Sequence, residues 1–358
     1  MTDATGPATA GREHRLSLNE LPEAPIADLA RALRPSLDEP HRYPDPHARE
    51  LAEAVARTYA VPPTDVLVGP GSATLLQHVV QWAAPGRGEV LYARPSFDAY
   101  RLIVRSAGAR PVEVPLRDHR HDLPRMLENI TADTRVLIVC NPNNPTGTVV
   151  NAADLTAFLR AVPERVVVVL DEAYHEFADA ESTADGRELY RDRPNLVVLR
   201  SFSKAYGLAG LRVGYALAHP DTAHTLRDRL LPFSVSTVAQ AAALTALARR
   251  TDVLRYAAHI VAERERLAER LALQGWPVVP SAANFLWLPL GSASEAFAAE
   301  AARQGILVRA VHGEGVRVTV GTETANDALL RLTARRSPAE PAHDALPRPG
   351  HRLGPAKA

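Results

Sequence analysis

Three apolar runs spaced 30 residues apart, Val136 to Cys140, Val166 to Leu170 and Leu196 to Leu199, constrain the fold more than any other feature of the chain. Each is apolar almost throughout, as a strand must be when both faces of its sheet are covered. The interval is that of a strand, a crossover helix and a parallel strand. Earlier runs at Val66 to Val68, Glu89 to Tyr92 and Pro111 to Val114 extend the series, so the sequence predicts α/β architecture around a mostly parallel sheet. After Leu231-Pro232 the pattern changes. A helix is predicted over Val253 to Leu273, with Gly275 and Pro277 as stop signals. It is followed by an apolar run from Ala283 to Leu288, a helix near Ser294 to Gln304, and strands at Ile306 to Arg309 and Val316 to Val320. The expected organisation is an N-terminal arm over 1–30, partly disordered, a large domain over 31–235, a smaller α+β domain over 236–336, and a disordered tail over 337–358.

Bulk charge narrows the partners. Forty-one basic and 41 acidic residues cancel, which argues against nucleic acid or an anionic membrane and for small molecules or a second subunit. No leader-like segment opens the chain and no apolar run approaches the roughly 18 residues of a membrane span, so a cytoplasmic protein is expected. The single cysteine, Cys140, ends an apolar run and reads as core packing, and no metal site is expected. Among the basic residues only Lys204 and Lys357 are lysines. A guanidinium keeps its proton at any ordinary pH, whereas an amine can lose its own and act as nucleophile or base. A chain built on arginine that holds one interior lysine invites the question of what arginine would fail to do there.

In open parallel sheets ligands bind beyond the carboxyl ends of the strands. The three apolar runs lead into NPNNPTG (Asn141 to Gly147), DEAY (Asp171 to Tyr174) and RSFSKAYG (Arg200 to Gly207), which places Asn144, Asp171, Ser201, Ser203 and Lys204 on one sheet edge. A fourth run leads into GPGSATLL, where Ser72 and Ala73 open a helix whose free amides suit a phosphate. An ordinary Gly-Pro-Gly turn with Ser72 as helix cap is the alternative for that segment alone. Together the groups meet the needs of pyridoxal phosphate: an amine (Lys204), a carboxylate for the ring nitrogen (Asp171), donors for the phenolic oxygen (Asn144, Tyr174) and a phosphate cradle (Ser72, Ser201, Ser203, Arg212).

The motifs NPNNPTGT, DEAYHEF, SFSKAYGLAGLRVGY, SAANF and VRVTVGT, in that order over roughly Leu16 to Leu332, resemble the fold type I aminotransferases of class I/II and, within them, the histidinol-phosphate aminotransferase branch. HDL at His121 to Leu123, YRDRPN at Tyr190 to Asn195 and GEGVRVTVG at Gly313 to Gly321 look most like the actinobacterial aromatic (phenylalanine) aminotransferases. The resemblance implies a transaminase that carries its cofactor as a Schiff base on Lys204. It also implies that Arg317 binds the substrate α-carboxylate, that Arg309 lies in the substrate site, that Phe97 stacks on the pyridine ring, and that Tyr43 reaches the phosphate of a neighbouring subunit in a homodimer. One departure bears on substrate: where the branch reads N-E-N-P and an aromatic residue, this chain reads NELPE from Asn19 to Glu23. A carboxylate at Glu23 suits neither a phosphate nor a bare phenyl ring. Either Glu23 points to solvent and aromatic amino acids are taken, or it faces the pocket and pairs with a cationic, guanidino-type amino acid; histidinol phosphate is the third candidate. A rival of another class is a serine hydrolase, since Ser201 to Lys204 satisfies S-x-x-K, but no later K-T-G completes that motif.

Overall fold

The computed structural model describes residues 13–336 apart from 180 and 182, so the expected tail over 337–358 and the first part of the arm lie outside the described residues. The strands are β1 (His14–Arg15), β2 (Val66–Gly69), β3 (Glu89–Arg94), β4 (Arg110–Pro115), β5 (Thr134–Cys140), β6 (Val167–Asp171), β7 (Leu196–Ser201), β8 (Gly214–Ala218), β9 (Phe285–Leu288), β10 (Ile306–Leu307), β11 (Arg309–Val311) and β12 (Gly315–Thr319). Seven of them form the main sheet in the order β2-β8-β7-β6-β5-β3-β4. The pairings from β4 through β7 are all parallel, and β8 runs antiparallel between β2 and β7. From β3 the order steps one way to β4 and the other way to β5, β6 and β7, which opens a crevice at the carboxyl edge.

Side-chain alternation splits each strand between two cores. Leu137, Val139, Val168, Leu170 and Val198 meet Leu51 and Val55 of the helix Arg49–Tyr59, Phe158 of Ala152–Ala161 and the alanines of Thr237–Ala248. Val136, Ile138, Val169, Val197 and Leu199 face the opposite way, onto the helices Ser72–Ala83 and Ala99–Ser106. Each fully buried branched side chain contributes about 1.5–3 kcal/mol, and both faces together make the sheet edge a rigid platform.

The second unit holds β11-β12-β9 as an antiparallel sheet and the β1-β10 pair, around Leu16, Trp276, Leu286, Phe297, Val318 and Leu329. Its boundary differs from the expected residue 236. Ala239, Ala242, Val253, Ala257 and Ile260 belong to the large core, whereas Leu267 and Leu271 belong to the small one. The division therefore falls inside the long helix Arg250–Leu273. An alanine-rich helix that is apolar all round, such as Thr237–Ala248, carries no stripe to say which core it joins. The N-terminal segment is ordered from its first described residues, because Leu16 plugs the small core and its carbonyl accepts from Thr319 N–H at 2.9 Å. Among the described residues no helix is long and apolar enough to cross a membrane.

Candidate active site

Loops from the carboxyl ends of β5, β6 and β7, the turn after β2, the segment after β3 and the β11-β12 hairpin converge on a cleft of about 410 Å³. Its walls include Ser72, Ala73, Phe97, Asn144, Asp171, Tyr174, Ser201, Ser203, Lys204, Arg212, Arg309 and Arg317. With Ser17 to Asn19 of the N-terminal segment, residues from seven separate stretches of sequence share one site. Parallel pairing explains the first of these convergences: Cys140 lies opposite Asp171 and Asp171 opposite Leu199, so the motifs that follow begin side by side.

One end of the cleft is built for an anion. The helix Ser72–Ala83 starts after Gly71 at φ 94°, a position without a side chain to cap it, so its first-turn amides are left for a ligand. Arg212, itself left-handed at φ 53°, donates from Nη1 to Ser203 Oγ at 3.2 Å and to the Ala209 carbonyl at 2.9 Å. Ser203 N–H donates to Ser201 Oγ at 3.0 Å. A Cβ on Gly71 would sit 2.7 Å from Arg212 Nη2, and one on Gly214 would sit 2.7 Å from Ser72 N. The two glycines are what allow guanidinium, hydroxyls and helix start to meet, and the resulting cradle fits a phosphate dianion.

Lys204 follows β7 and is half-buried. Its Nζ donates to the carbonyls of Leu18 at 3.3 Å and Asn19 at 3.2 Å and stands 5.7 Å from the Tyr174 ring centre. Burial first, and the guanidinium of Arg317 second, push the amine down to about 8; Arg212 acts in the same direction, and Glu20 and Asp171 oppose it. An amine so placed is available as a nucleophile near neutral pH. Asp171, at the end of β6, is buried; burial raises its pKa, and a hydrogen bond from Tyr100 at 2.7 Å with the Ala173 N–H at 3.2 Å offsets part of the rise. A buried carboxylate of this kind seeks a cationic partner in the cleft.

The far wall recognises a carboxylate. Arg317 on β12 donates from Nη1 to Asn144 Oδ1 at 2.6 Å and from Nη2 to the Ser17 carbonyl, over the ring of Phe285. Its Nε is buried and has no hydrogen-bond partner among the described residues. Burial lowers its pKa, yet a guanidinium remains charged. Arg309 lies opposite Arg317 in the hairpin and pairs with Asp98 at 2.8 Å across the cleft mouth. Tyr174 is buried, and its hydroxyl accepts from Asn19 Nδ2 at 2.9 Å.

Two expected site residues are not brought to this cleft. Glu23 lies on the other side of the N-terminal segment, in a groove with Tyr256 and His259. The reason is local: Leu21 and Pro25 turn inward, with Pro25 Cδ 2.6 Å from where a Cβ on Gly207 would be, and this leaves Glu23 exposed. The substrate-pairing role for Glu23 is thereby corrected. Tyr43 is 84% exposed, its ring 4.8 Å from that of Phe233, away from the cleft of its own chain. The hydrolase arrangement also lacks its central contact, because Ser201 Oγ takes the Ser203 amide while Lys204 is engaged by two carbonyls. Two groups of the site went unread in the sequence. Tyr100 lies 71 residues before its partner Asp171, and Asn19 acts through Tyr174 and Thr319 from far along the chain.

The donor set, namely one amine, one buried carboxylate, an uncapped helix start with an arginine, and a second arginine with an unpartnered buried N–H, fits pyridoxal phosphate together with an amino acid carboxylate. The family model for class I and II aminotransferases matches residues 14–332. The chain is 48% identical over 322 residues to the aromatic amino acid aminotransferase of Thermobifida fusca (strain YX), covering 90% of each. To the enzyme of that name from Streptomyces coelicolor it is 46% identical over 321 residues, covering 89% of each. Among solved structures, histidinol-phosphate aminotransferase from Sinorhizobium meliloti in complex with pyridoxal-5'-phosphate superposes with a TM-score of 0.84 at 30% identity, covering 90% of this chain and 91% of that one.

Proposed function

Because this chain belongs to the class I and II aminotransferase family, we propose that it moves the amino group of an aromatic L-α-amino acid to a 2-oxo acid, with pyridoxal 5'-phosphate held at Lys204. The observation that carries the reading is the meeting of Lys204, Asp171, Arg317 and the anion cradle in one cleft. The aromatic preference draws on relatives named for that activity at 46–48% identity, against 30% for the histidinol-phosphate enzyme, and on Glu23 facing away from the cleft.

When bound, the cofactor supplies an aldehyde that condenses with amines and a cationic ring that withdraws electrons from the carbon bearing the amino group. Ser72, Ala73, Ser201, Ser203 and Arg212 would hold its phosphate, Phe97 would cover its ring, and Asn144 and Tyr174 would serve its phenolic oxygen. Asp171 would keep the ring nitrogen protonated. The Arg317 fork binds the substrate α-carboxylate, with Asn144 fixing its plane and Arg309 beside it. With the cofactor bound, Lys204 Nζ would serve as the base that takes the substrate Cα proton and later gives it back. Release of the 2-oxo acid and entry of a second one give ping-pong kinetics.

The reading includes a homodimer in which Tyr43 reaches the phosphate of the second subunit. Its support here is the exposure of Tyr43, Leu37, Leu231 and Phe233 on the large unit, apolar side chains that a partner would cover. A panel of amino donors tests the substrate. Phenylalanine or tyrosine should exceed histidinol phosphate and arginine at least ~10-fold in kcat/KM, and a preference for either of the latter overturns the aromatic assignment.

A further inference from the structure

We propose that Tyr100 is a positioning residue whose hydroxyl aims the Asp171 carboxylate at the cofactor ring nitrogen while its ring carries Phe97, the side chain that covers the ring face. This rests on the reading above in which Asp171 faces that nitrogen.

Tyr100 sits in the first turn of the helix Ala99–Ser106 and is fully buried. Its O–H donates to Asp171 Oδ2 at 2.7 Å, while Oδ1 accepts the Ala173 N–H at 3.2 Å. A carboxylate with one donor can swing about its Cβ–Cγ bond; one held at both oxygens keeps its plane. The same tyrosine meets Phe97 edge-to-face, with centroids 5.4 Å apart at 89°, and Tyr92 at 5.7 Å. The partner of the ring nitrogen and the partner of the ring face are therefore referenced to one rigid side chain, packed in the core on that face of the sheet.

The hydrogen bond also has an electrostatic consequence. Burial makes the Asp171 carboxyl more basic than usual, and the Tyr100 hydroxyl works against that rise. Tyr100 itself is pushed well above the ordinary tyrosine range, first by burial and then by the Asp171 charge, so it stays an O–H donor at any working pH. Without this donor the carboxylate would draw the proton back from the ring nitrogen and weaken the cation that Asp171 exists to hold.

Tyr100→Phe removes one oxygen and leaves the ring contacts with Phe97 and Tyr92. In the holoenzyme the substitution should retain cofactor and raise the pH midpoint of its visible absorption change by about half a unit or more. It should lower kcat about 10-fold with little change in KM, short of the roughly 10²–10³ lost with a donor that touches the reacting atoms. Asp171→Asn should raise the same midpoint further, and adding Tyr100→Phe to Asp171→Asn should change nothing more. If Asp171→Asn moves the midpoint and Tyr100→Phe does not, the role of Tyr100 is refuted and that of Asp171 stands. An effect of Tyr100→Phe that persists in the Asp171→Asn background makes the tyrosine merely structural and refutes the proposal. A midpoint unmoved by Asp171→Asn refutes the assignment of Asp171 and this inference with it.

Discussion

Reductive methylation of the cofactor-free protein across pH should show Lys204 titrating near pH 8, where burial and the Arg317 cation push it. An unperturbed lysine titrates near 10.4. At pH 7 this leaves roughly a tenth of the Lys204 amines unprotonated, against about 1 in 2,500 for an ordinary lysine. The chain is suited to the experiment, since Lys357 is its only other lysine and the labelled peptide is read by mass. The signs of two variants follow from the neighbours. Arg317→Gln removes a cation that disfavours the ammonium, so the midpoint should rise by about half a unit or more. Glu20→Gln removes an anion that favours it, so the midpoint should fall. A wild-type midpoint near 10.4, or shifts of opposite sign, would refute this electrostatic account of the site.

Asp171→Asn should keep the fold and the cofactor and lose on the order of a hundredfold in kcat, because an amide does not hold the ring proton; turnover by stopped-flow checks it, and an unchanged rate contradicts the role. Gly71→Ala forces a Cβ to 2.7 Å from Arg212 Nη2 at φ 94°, so equilibrium dialysis should show cofactor bound roughly 10-fold more weakly; unaltered affinity would mean that Arg212 is not part of the cradle. Sedimentation at assay concentration should find a dimer, and Tyr43→Phe should weaken cofactor binding without dissociating it, whereas an active monomer would remove the shared-site role of Tyr43.

What the sequence discloses here is whatever repeats or stands out locally. The valine- and leucine-rich runs of β5, β6 and β7 announce a doubly covered sheet, and the polar motifs that close them lie at its carboxyl edge as parallel pairing requires. β8 escaped because GYALA is short and three of its five residues are glycine or alanine, with little side-chain pattern; its place in the sheet is set by its neighbours on either side. Tyr100 and Asn19 escaped because their partners are distant in sequence and a single polar residue in a helix or loop carries no spacing. Glu23 stayed open between solvent and pocket in the sequence because a motif alignment says which residue fills a position and not which way the chain turns there. Packing of Leu21 and Pro25 beneath Gly207 decides that.

The central claim is that Lys204 is the covalent anchor of the cofactor. Borohydride reduction of the holoenzyme, trypsin digestion and mass analysis test it directly, since a modified Lys204 leaves the stretch from Ser201 to Arg212 as one uncut peptide. The account predicts the mass of reduced pyridoxal phosphate on that peptide at close to one per chain and loss of the visible band. Cofactor found on Lys357, or a holoenzyme that borohydride leaves unmodified at Lys204, would contradict it.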